Sequence, residues 1–310
     1  MSKIAIIFPA YNEEQTIAET LCAFHAALPE AELWVIDNNS SDETAKISQE
    51  TLSKIHAVGG VLSERRQGKG NAVRKAFQEI DADYYLMSDA DLTYPADQAR
   101  ELLAPILNGE ADMVVGNRHA LGRYKAENKR TFHNFGNHLV LVLINTLFKS
   151  HLSDIMSGYR ALNRQFVKNY PILVEGFEIE TDMTLHALDK RFRIVEMPIA
   201  YKDRPEGSVS KLNTFHDGLR VLKTIVNIFR YYKPLCFFGL LSLFFFLCGI
   251  AAGIPAVTDY IGHGYVYHVP LALLATGLEI VALLMLVVGL ILDQSSYYNK
   301  YNFESKLIKK

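Results

Sequence analysis

The sequence predicts an α/β domain built on a mostly parallel sheet, followed by an amphipathic helix and two membrane-spanning helices. Two observations support this fold class. In the first 120 residues, short apolar runs alternate with segments of helical periodicity, as expected for a parallel sheet that is covered on both faces. Near residue 234, the composition changes to two long apolar runs that contain almost no charge.

Five apolar runs in the first part of the chain predict strands, because buried parallel strands read as continuous apolar segments. These runs are Ile4–Phe8, Leu33–Ile36, His56–Leu62, Tyr84–Met87 and Met113–Val115. Helices are predicted between them, at Glu14–Leu28, Asp42–Leu52, Asn71–Ile80 and Ala96–Leu107. Ligands of such sheets bind beyond the carboxyl ends of the strands, so we expect the functional site at that edge.

Two later segments have the pattern of helices with mixed surfaces. The ten-residue run Leu139–Phe148 is too short to cross a bilayer, and it fits either a core helix or a helix at the membrane interface, which we favour. Residues 213–233 place apolar side chains near a period of 3.6 among several Lys and Arg residues. This pattern predicts a juxtamembrane amphipathic helix at the bilayer surface; packing on the preceding domain is the alternative.

The two apolar runs near the carboxyl terminus predict a transmembrane domain, residues 234–292, with spans at about 235–257 and 269–292. Lys and Arg flank the outer ends of this pair, whereas the loop between the spans has neither. The positive-inside rule therefore places both termini, the α/β domain (1–212) and the tail (293–310) in the cytoplasm. We expect a multi-pass protein of the inner (cytoplasmic) membrane.

Composition and sequence motifs also bear on nucleic-acid binding, on the state of the cysteines and on secretion. A net charge of −2 gives no general attraction for nucleic acid, and no nucleic-acid-binding motif is present, so we expect no nucleic-acid partner. The three cysteines have no metal-ligand spacing, which favours reduced thiols. The amino terminus has too short an apolar run for a signal peptide, so we expect the α/β domain to begin in the cytosol.

Asp89 and Asp91 follow the predicted strand Tyr84–Met87 in the sequence Ser-Asp-Ala-Asp. Two carboxylates one residue apart at the end of a buried strand can hold Mg²⁺ or Mn²⁺ against a diphosphate. Mg²⁺ takes one or two protein carboxylates and completes its shell with water and phosphate oxygens. Asp is also common in strand-ending turns, so the pair alone leaves both interpretations open.

An ordered set of motifs favours the metal interpretation. Three motifs occur in order: Ile-Phe-Pro-Ala-Tyr-Asn-Glu-Glu at 7–14, Val-Ile-Asp-Asn-Asn-Ser-Ser-Asp at 35–42 and Ser-Asp-Ala-Asp at 88–91. Together they resemble the family 2 glycosyltransferases of the GT-A fold. Three later motifs make the resemblance more specific: Ser-Gly-Tyr-Arg-Ala-Leu at 157–162, Val-Glu-Met-Pro-Ile-Ala-Tyr at 195–201 and Arg-Pro-Glu-Gly-Ser-Val-Ser-Lys-Leu at 204–212. They are similar to segments of the polyprenyl-phosphate glycosyltransferases, which include dolichyl-phosphate mannose synthases and bactoprenol glucosyltransferases.

This resemblance implies a metal-dependent hexosyltransferase. It would transfer one sugar with inversion from a nucleotide sugar, UDP-glucose or another UDP-hexose, to polyprenyl (undecaprenyl) phosphate at the cytoplasmic membrane face. The product would be a lipid-linked sugar donor for the cell envelope. The resemblance also implies Mg²⁺ or Mn²⁺ as cofactor and a homo-oligomer in the bilayer.

The resemblance assigns residues to the donor and the metal. Asp91 and Asp89 would hold the metal, and Asp37 would accept a hydrogen bond from the base, which both uracil and guanine can donate. Asn38 stands where the family often has a second Asp, which leaves the identity of the base open. The full donor set is Pro9, Ala10, Tyr11, Glu13, Asp37, Lys69, Asp89, Arg204 and Lys211. Lys69 belongs to a Gly-rich segment that also fits an ordinary exposed turn.

Residues on the acceptor side are less sharply defined. Guanidinium groups suit bidentate phosphate binding, and the candidates are Arg118, Arg123 and Arg130. The resemblance makes Asp154 the candidate catalytic base. A phosphate monoester is already largely dianionic at pH 7, so Asp154 could instead orient Arg160 or the acceptor. Glu178 and Glu180 are further pocket candidates, or a solvated helix start.

Three other functions compete with this interpretation. A processive polysaccharide synthase would carry a Gln-x-x-Arg-Trp motif, but the single tryptophan, Trp34, lies in a predicted strand. A GDP-mannose-dependent polyprenyl-phosphate mannosyltransferase would have the same overall organisation. A non-catalytic membrane scaffold could bind a nucleotide sugar or lipid without turnover.

Overall fold

In the computed structural model, residues 2–120, 131–176, 178–202 and 225–308 are described, with the backbone alone for 131–135 and 137. The chain divides into two units, Met1–Thr214 and Phe215–Lys310. Within the described part of the first unit, seven strands form one sheet in the order β3-β2-β1-β4-β6-β5-β7. They are β1 (Ile4–Ala10), β2 (Glu32–Asp37), β3 (Gly59–Ser63), β4 (Tyr84–Met87), β5 (Met113–Asn117), β6 (Arg160–Asn163) and β7 (Ile194–Pro198).

Helices connect the strands and cover the sheet. They are α1 (Ile17–Ala27), α2 (Thr44–Lys54), α3 (Lys69–Glu79), α4 (Ala99–Leu107), α5 (Thr131–Phe148), α6 (Arg164–Asn169) and α7 (Ile179–Asp189), with a 3₁₀ turn at Ala96–Gln98 before α4. The predicted α/β class, with its mostly parallel sheet, is confirmed. On one face of the sheet, Phe8 packs edge-on against Phe24 of α1 with ring centroids 5.1 Å apart, and Leu102 of α4 joins the same core.

Strand direction brings several loops to one edge of the sheet. β1, β2, β3 and β4 are parallel, so the chain leaves each of them at the same edge. β6 is antiparallel to both β4 and β5, and its first residue, Arg160, pairs with Met87 and with Val115. The segment before β6 therefore lies at the same edge as the loops that follow β4 and β5.

α5 is longer than the predicted run Leu139–Phe148 and has two different faces. Val140 and Ile144 are buried, whereas Leu139 and Val142 are exposed. The helix thus contributes to the core on one side, and contact of its exposed side with a membrane interface stays a prediction. Of the predicted amphipathic helix at 213–233, residues 225–232 are helical and the part before 225 lies outside the described residues.

The second unit contains two long apolar helices, α8 (Pro234–His263) and α9 (Val269–Ile308). Both are long and apolar enough to cross a membrane. They approach closely at glycines: a methyl group added at Gly249 would lie 2.6 Å from Oε1 of Glu279. Small residues permit such close helix packing in lipid. α9 continues beyond the predicted span, so the predicted tail is helical as far as Ile308.

Buried His186 on α7 predicts a pH dependence of folding. It packs among Phe166, Tyr170 and Phe192, and burial lowers its pKa to about 4. The unfolded chain binds a proton near pH 6.5, so stability is complete above that pH and falls as the pH drops toward 4. Between pH 7 and 5 we expect a loss of about 1–2 kcal/mol in the free energy of unfolding.

Fluorescence of Trp34, the single tryptophan, reports unfolding of the sheet because it lies in β2. The measurement is denaturant unfolding of the full chain in detergent micelles at pH 5 and pH 7. His186→Phe should reduce this pH dependence, whereas replacing the exposed His138 with Gln should leave it unchanged. Equal pH dependence in the wild type and His186→Phe would contradict the assignment.

Candidate active site

The loop after β4 holds Asp91 in a fixed, buried position. The carbonyl of Ala90 accepts hydrogen bonds from two threonines of the α1 region, Thr16 Oγ1 at 2.8 Å and Thr20 Oγ1 at 3.2 Å. Oδ1 of Asp91 accepts from the backbone N of Thr93 at 3.2 Å and from its Oγ1 at 2.6 Å. Asp91 is 3% exposed. The helix and the loop together therefore restrict both the backbone and the carboxylate.

Asp89 lies beside a buried lysine that is shared with a second carboxylate. Nζ of Lys69 is 2.5 Å from Oδ1 of Asp89 and 2.6 Å from Oε1 of Glu180. Burial by itself would lower the pKa of Lys69, but the charges of Asp89 and Glu180 outweigh it and raise the pKa above its ordinary value. A methyl group at Gly158 would lie 2.8 Å from Nζ of Lys69 and 3.2 Å from both Asp89 oxygens. Glycine at 158 thus leaves space for the ion pair.

Asp37, the last residue of β2, carries a buried oxygen without a hydrogen-bond partner among the described residues. Asp37 is 7% exposed, and its Oδ1 has no hydrogen-bond partner in the part of the chain that the structure describes. A buried polar atom without a partner is costly. This oxygen is therefore suited to accept an N–H of a nucleotide base, as the resemblance implies.

Asn38 has a different role from its neighbour. Its Nδ2 donates to the carbonyl of Arg66 at 2.6 Å and to that of Glu64 at 3.3 Å, and its Oδ1 accepts from the backbone N of Gly68 at 2.6 Å. Gly68 has φ +128°, and a Cβ there would lie 2.1 Å from the carbonyl oxygen of Glu175. Asn38 therefore fixes the loop that leads directly into Lys69.

Replacing Asn38 with Asp is expected to loosen this loop. The carboxylate cannot donate to the two carbonyls, and it would bring negative charge against them. We expect a loss of about 1–3 kcal/mol in the free energy of unfolding and a higher KM for the nucleotide sugar.

Asn39→Asp makes the same chemical change at the next position, which is exposed and has φ 60°. Denaturant unfolding and donor titrations of both variants check the prediction. A wild-type donor KM in Asn38→Asp would contradict the role given to the loop.

The other candidates from the first motif lie at the same edge. Pro9 and Ala10 end β1 and pair with Ile36 and Asp37. The backbone N of Glu13 donates to Oγ1 of Thr44 at 2.8 Å. The turn containing Tyr11 and Glu13 thus follows β1 at the edge where β2 ends in Asp37, and it is bonded to the start of α2.

Arg118 and Asp154 form a bidentate ion pair after β5. Oδ2 of Asp154 accepts from Nε of Arg118 at 2.8 Å and from its backbone N at 3.1 Å, while Oδ1 accepts from Nη2 at 2.9 Å. The side chain of Asp154 is 1% exposed. Burial alone would raise the pKa of Asp154, but its bonds to Arg118 lower it. Such a carboxylate is a poor proton acceptor, so its geometry favours orienting Arg118 over acting as a base.

Tyr201 connects the aspartate pair to the arginine pair. The guanidinium of Arg118 lies 5.7 Å from the ring centroid of Tyr201. Burial raises the pKa of Tyr201, and the charges of Arg118, Asp91 and Asp89 also act on it. Tyr201 thus contacts Arg118, and both charged pairs lie at the same edge of the sheet.

Arg160 fixes the backbone segment that lies beside this site. It is completely buried and donates to the carbonyls of Ser157 and Ile155 at 2.8 Å each and to Oγ1 of Thr184 at 3.0 Å. It therefore holds the segment before β6, while the hydrogen bonds of Asp154 go to Arg118 and the following backbone.

Four candidates, Arg123, Arg130, Arg204 and Lys211, lie outside the described residues. Sequence reasoning missed Tyr94, which stacks on Tyr159 at 5.1 Å and accepts from the backbone N of Gly158 at 2.8 Å. It also missed Tyr201, which appeared only as the end of a resembling motif. Neither residue has a spacing that would have indicated its position.

The carboxylate ligands at this edge of the sheet fit a divalent cation such as Mg²⁺. The described residues contain no cluster of three or more His, Cys, Asp or Glu that could hold a metal. Asp89 and Asp91 supply hard carboxylate oxygens, and Mg²⁺ needs only one or two of these when a diphosphate completes its shell. The residues therefore fit a metal that binds together with a nucleotide.

Comparison with known proteins defines the class. The profile of the family described as Glycosyl transferase family 2 matches residues 5–170, which is more than half of the chain. The chain belongs to this family and is a glycosyltransferase, and the resemblance inferred from its motifs is confirmed.

Two similar proteins are also glycosyltransferases, and the name of one of them gives its acceptor, undecaprenyl phosphate. Glycosyltransferase AglJ of Haloferax volcanii is 31% identical over 237 residues, which cover 76% of this chain and 75% of AglJ. An undecaprenyl-phosphate mannosyltransferase of Micrococcus luteus is 27% identical over 235 residues, covering 74% of this chain and 93% of that protein.

The fold has a counterpart among solved structures. The crystal structure of glucosyl-3-phosphoglycerate synthase from Mycobacterium tuberculosis with Mn²⁺ and UDP-glucose has a TM-score of 0.54 and 21% identity. It covers 74% of this chain and 78% of that chain. This similarity confirms the GT-A fold.

Proposed function

We propose that this protein transfers a single hexose from a nucleotide sugar to a polyprenyl phosphate at the cytoplasmic face of the membrane. The observation that carries the proposal is that a pair of aspartates and an arginine–aspartate ion pair lie at the same edge of the sheet. The Asp89–Asp91 pair suits a metal-bound diphosphate, and Arg118, held by Asp154, suits a phosphate monoester. Tyr201 contacts Arg118, whose guanidinium carbon lies 5.7 Å from the centroid of its ring.

The donor is bound by residues of the first four strands. Oδ1 of Asp37 would accept a base N–H, the turn at Tyr11 and Glu13 would line the pocket, and Asp91 with Asp89 would hold Mg²⁺ or Mn²⁺. When bound, the metal stabilises the negative charge that grows on the departing diphosphate. Arg204 and Lys211 are proposed to contact the same diphosphate.

The acceptor is bound by arginine. Arg118, held by Asp154, is proposed to bind the lipid phosphate, with Arg130 and Arg123 assisting it. A phosphate oxygen attacks the anomeric carbon as the bond from that carbon to the diphosphate breaks, and the nucleoside diphosphate leaves with the electron pair. Attack opposite the leaving group inverts the configuration. The dianionic phosphate needs no general base, so Asp154 acts by orienting Arg118.

Membrane attachment supports a lipid acceptor. α8 and α9 are long and apolar enough to span a bilayer, and the distribution of Lys and Arg around them favours both termini in the cytoplasm. Attachment restricts the search for a lipid phosphate to the membrane surface. The named activity of the Micrococcus luteus relative, transfer to undecaprenyl phosphate, agrees with this acceptor.

The nucleotide and sugar are proposed to be UDP and glucose or another hexose. GDP-mannose is the second candidate, because that relative is a mannosyltransferase and Asp37 can accept an N–H from either base. The test incubates the purified full chain in detergent micelles with undecaprenyl phosphate, Mn²⁺ or Mg²⁺, and UDP-glucose, UDP-galactose or GDP-mannose. We expect a radiolabelled, lipid-extractable product from one UDP-hexose; a product from GDP-mannose alone would replace the donor assignment. No product from any donor, including a wider nucleotide-sugar panel, would contradict the proposal.

A further inference from the structure

The lysine shared between Asp89 and Glu180 has a consequence for metal binding. The side chains of Lys69 and Glu180 are 9% and 6% exposed, whereas that of Asp89 is 26% exposed. Asp89 is therefore the member of this trio that a cation from solution can reach. Glu180 lies on α7, two residues after the exposed Glu178.

The charges of the trio do not cancel. One ammonium faces two carboxylates, so the group carries a net charge of −1 when all three are ionised. Because Glu180 is buried, it takes part of the hydrogen bonding and charge of Lys69 from within the protein. The uncompensated negative charge is then available at Asp89, on the accessible side.

We infer that Glu180 is a positioning residue that keeps Asp89 available to the divalent cation by sharing Lys69. Without the charge of Glu180, Lys69 would pair with Asp89 alone, and the local charge would become zero. The ammonium of Lys69 would then be balanced only by Asp89, the carboxylate that the cation itself needs as a ligand. Gly158 contributes space, since a side chain there would collide with Lys69 and Asp89. This inference rests on the proposed metal site at Asp89 and Asp91.

Two variants test the inference because they should act in opposite directions. Glu180→Gln keeps an acceptor oxygen for Lys69 but removes the charge, so the Kd for Mn²⁺ should rise about 5- to 20-fold. Lys69→Gln removes the competing ammonium, so the Kd for Mn²⁺ should fall by a similar factor of about 5 to 20. Glu79→Gln makes the same change in an exposed ion pair with Lys75, away from the site, and should leave the Kd unchanged.

The measurement is the loss of the free Mn²⁺ electron paramagnetic resonance signal on titration of the full chain in detergent micelles, without nucleotide and with saturating UDP. Trp34 fluorescence during thermal unfolding reports whether each variant is folded. Opposite shifts in Mn²⁺ affinity for the two variants support the inference. Shifts in the same direction, or no shift in either, overturn it.

Two further outcomes keep the inference separate from its premises. If Glu180→Gln does not fold, the sign of the Lys69→Gln shift decides, because a merely structural lysine would not tighten Mn²⁺ binding when removed. If the wild type binds no Mn²⁺, the inference is overturned. Sugar transfer to polyprenyl phosphate without added metal would in that case leave the transferase proposal standing.

Discussion

Replacing Asp91 with asparagine is expected to reduce sugar transfer more than any other single substitution at this site. The amide oxygen can still accept the hydrogen bonds from Thr93, so the loop should keep its shape. The charge that is proposed to hold the metal against the diphosphate is lost. We expect a loss of about 3–4 kcal/mol of transition-state stabilisation, which is about 10²- to 10³-fold in kcat/KM for the nucleotide sugar.

The matched control is Asp97→Asn, the same chemical change six residues later at an exposed position. Initial rates with radiolabelled donor and polyprenyl phosphate, measured over a range of Mn²⁺ concentrations, check the prediction. Asp97→Asn should retain the wild-type rate and metal dependence. If Asp91→Asn retained both as well, the assignment of Asp91 to the metal would be wrong.

Replacing Asp154 with asparagine is the second large expected effect, and it separates two roles for this residue. If Asp154 orients Arg118, the variant loses the bidentate charge pair and the arginine is less well placed for the acceptor phosphate. We then expect the KM for polyprenyl phosphate to rise about 10-fold or more, with a smaller effect on kcat. If Asp154 were the base, kcat would collapse while KM stayed the same.

A second bidentate pair provides the control. Arg193 donates from Nε and Nη2 to the two oxygens of Asp112, each at 3.1 Å, next to the start of β5 and β7 and so at the opposite edge of the sheet. Asp112→Asn breaks a comparable pair away from the site and should change neither kcat nor KM. A similar rise in KM in both variants would mean that the effect comes from general destabilisation.

The central parallel strands β1, β2 and β4 could be predicted from the sequence because they are mostly buried, whereas the edge strand β3 is more exposed and begins three residues later than predicted. Tyr84–Met87 was predicted with its observed bounds, and β1, β2 and β5 differ from their predicted bounds by a few residues. β6 and β7 were missed for physical reasons. β6 has four residues and begins with the buried charge of Arg160, and β7 is an edge strand that includes Glu196 and ends at Pro198.

The candidate site could be predicted only where residues directly follow strands. Asp37, Asp89 and Asp91 occupy the positions that the alternation of strands and helices implies. The sharing of Lys69 with Glu180 could not be predicted, because it depends on how α7 packs 111 residues later in the chain. The partnership of Asp154 with Arg118 was missed for the same reason: sequence reasoning considered Arg160, which is closer along the chain but bonds elsewhere.

The reversed direction of β6 has a consequence for how such enzymes can diversify. The backbone N of Gly116 donates to the carbonyl of Tyr159 at 2.8 Å, so the chain leaves the sheet after β5 and returns beside its point of departure. The intervening segment, which carries Arg118, Arg123, Arg130 and Asp154, is an insert with adjacent ends. Because its ends are already held together, loop-closure entropy places little limit on its length, and the buried Val140 and Ile144 of α5 are what a replacement must keep. Chimaeras that exchange this insert between relatives should therefore alter acceptor preference while the donor half keeps its register.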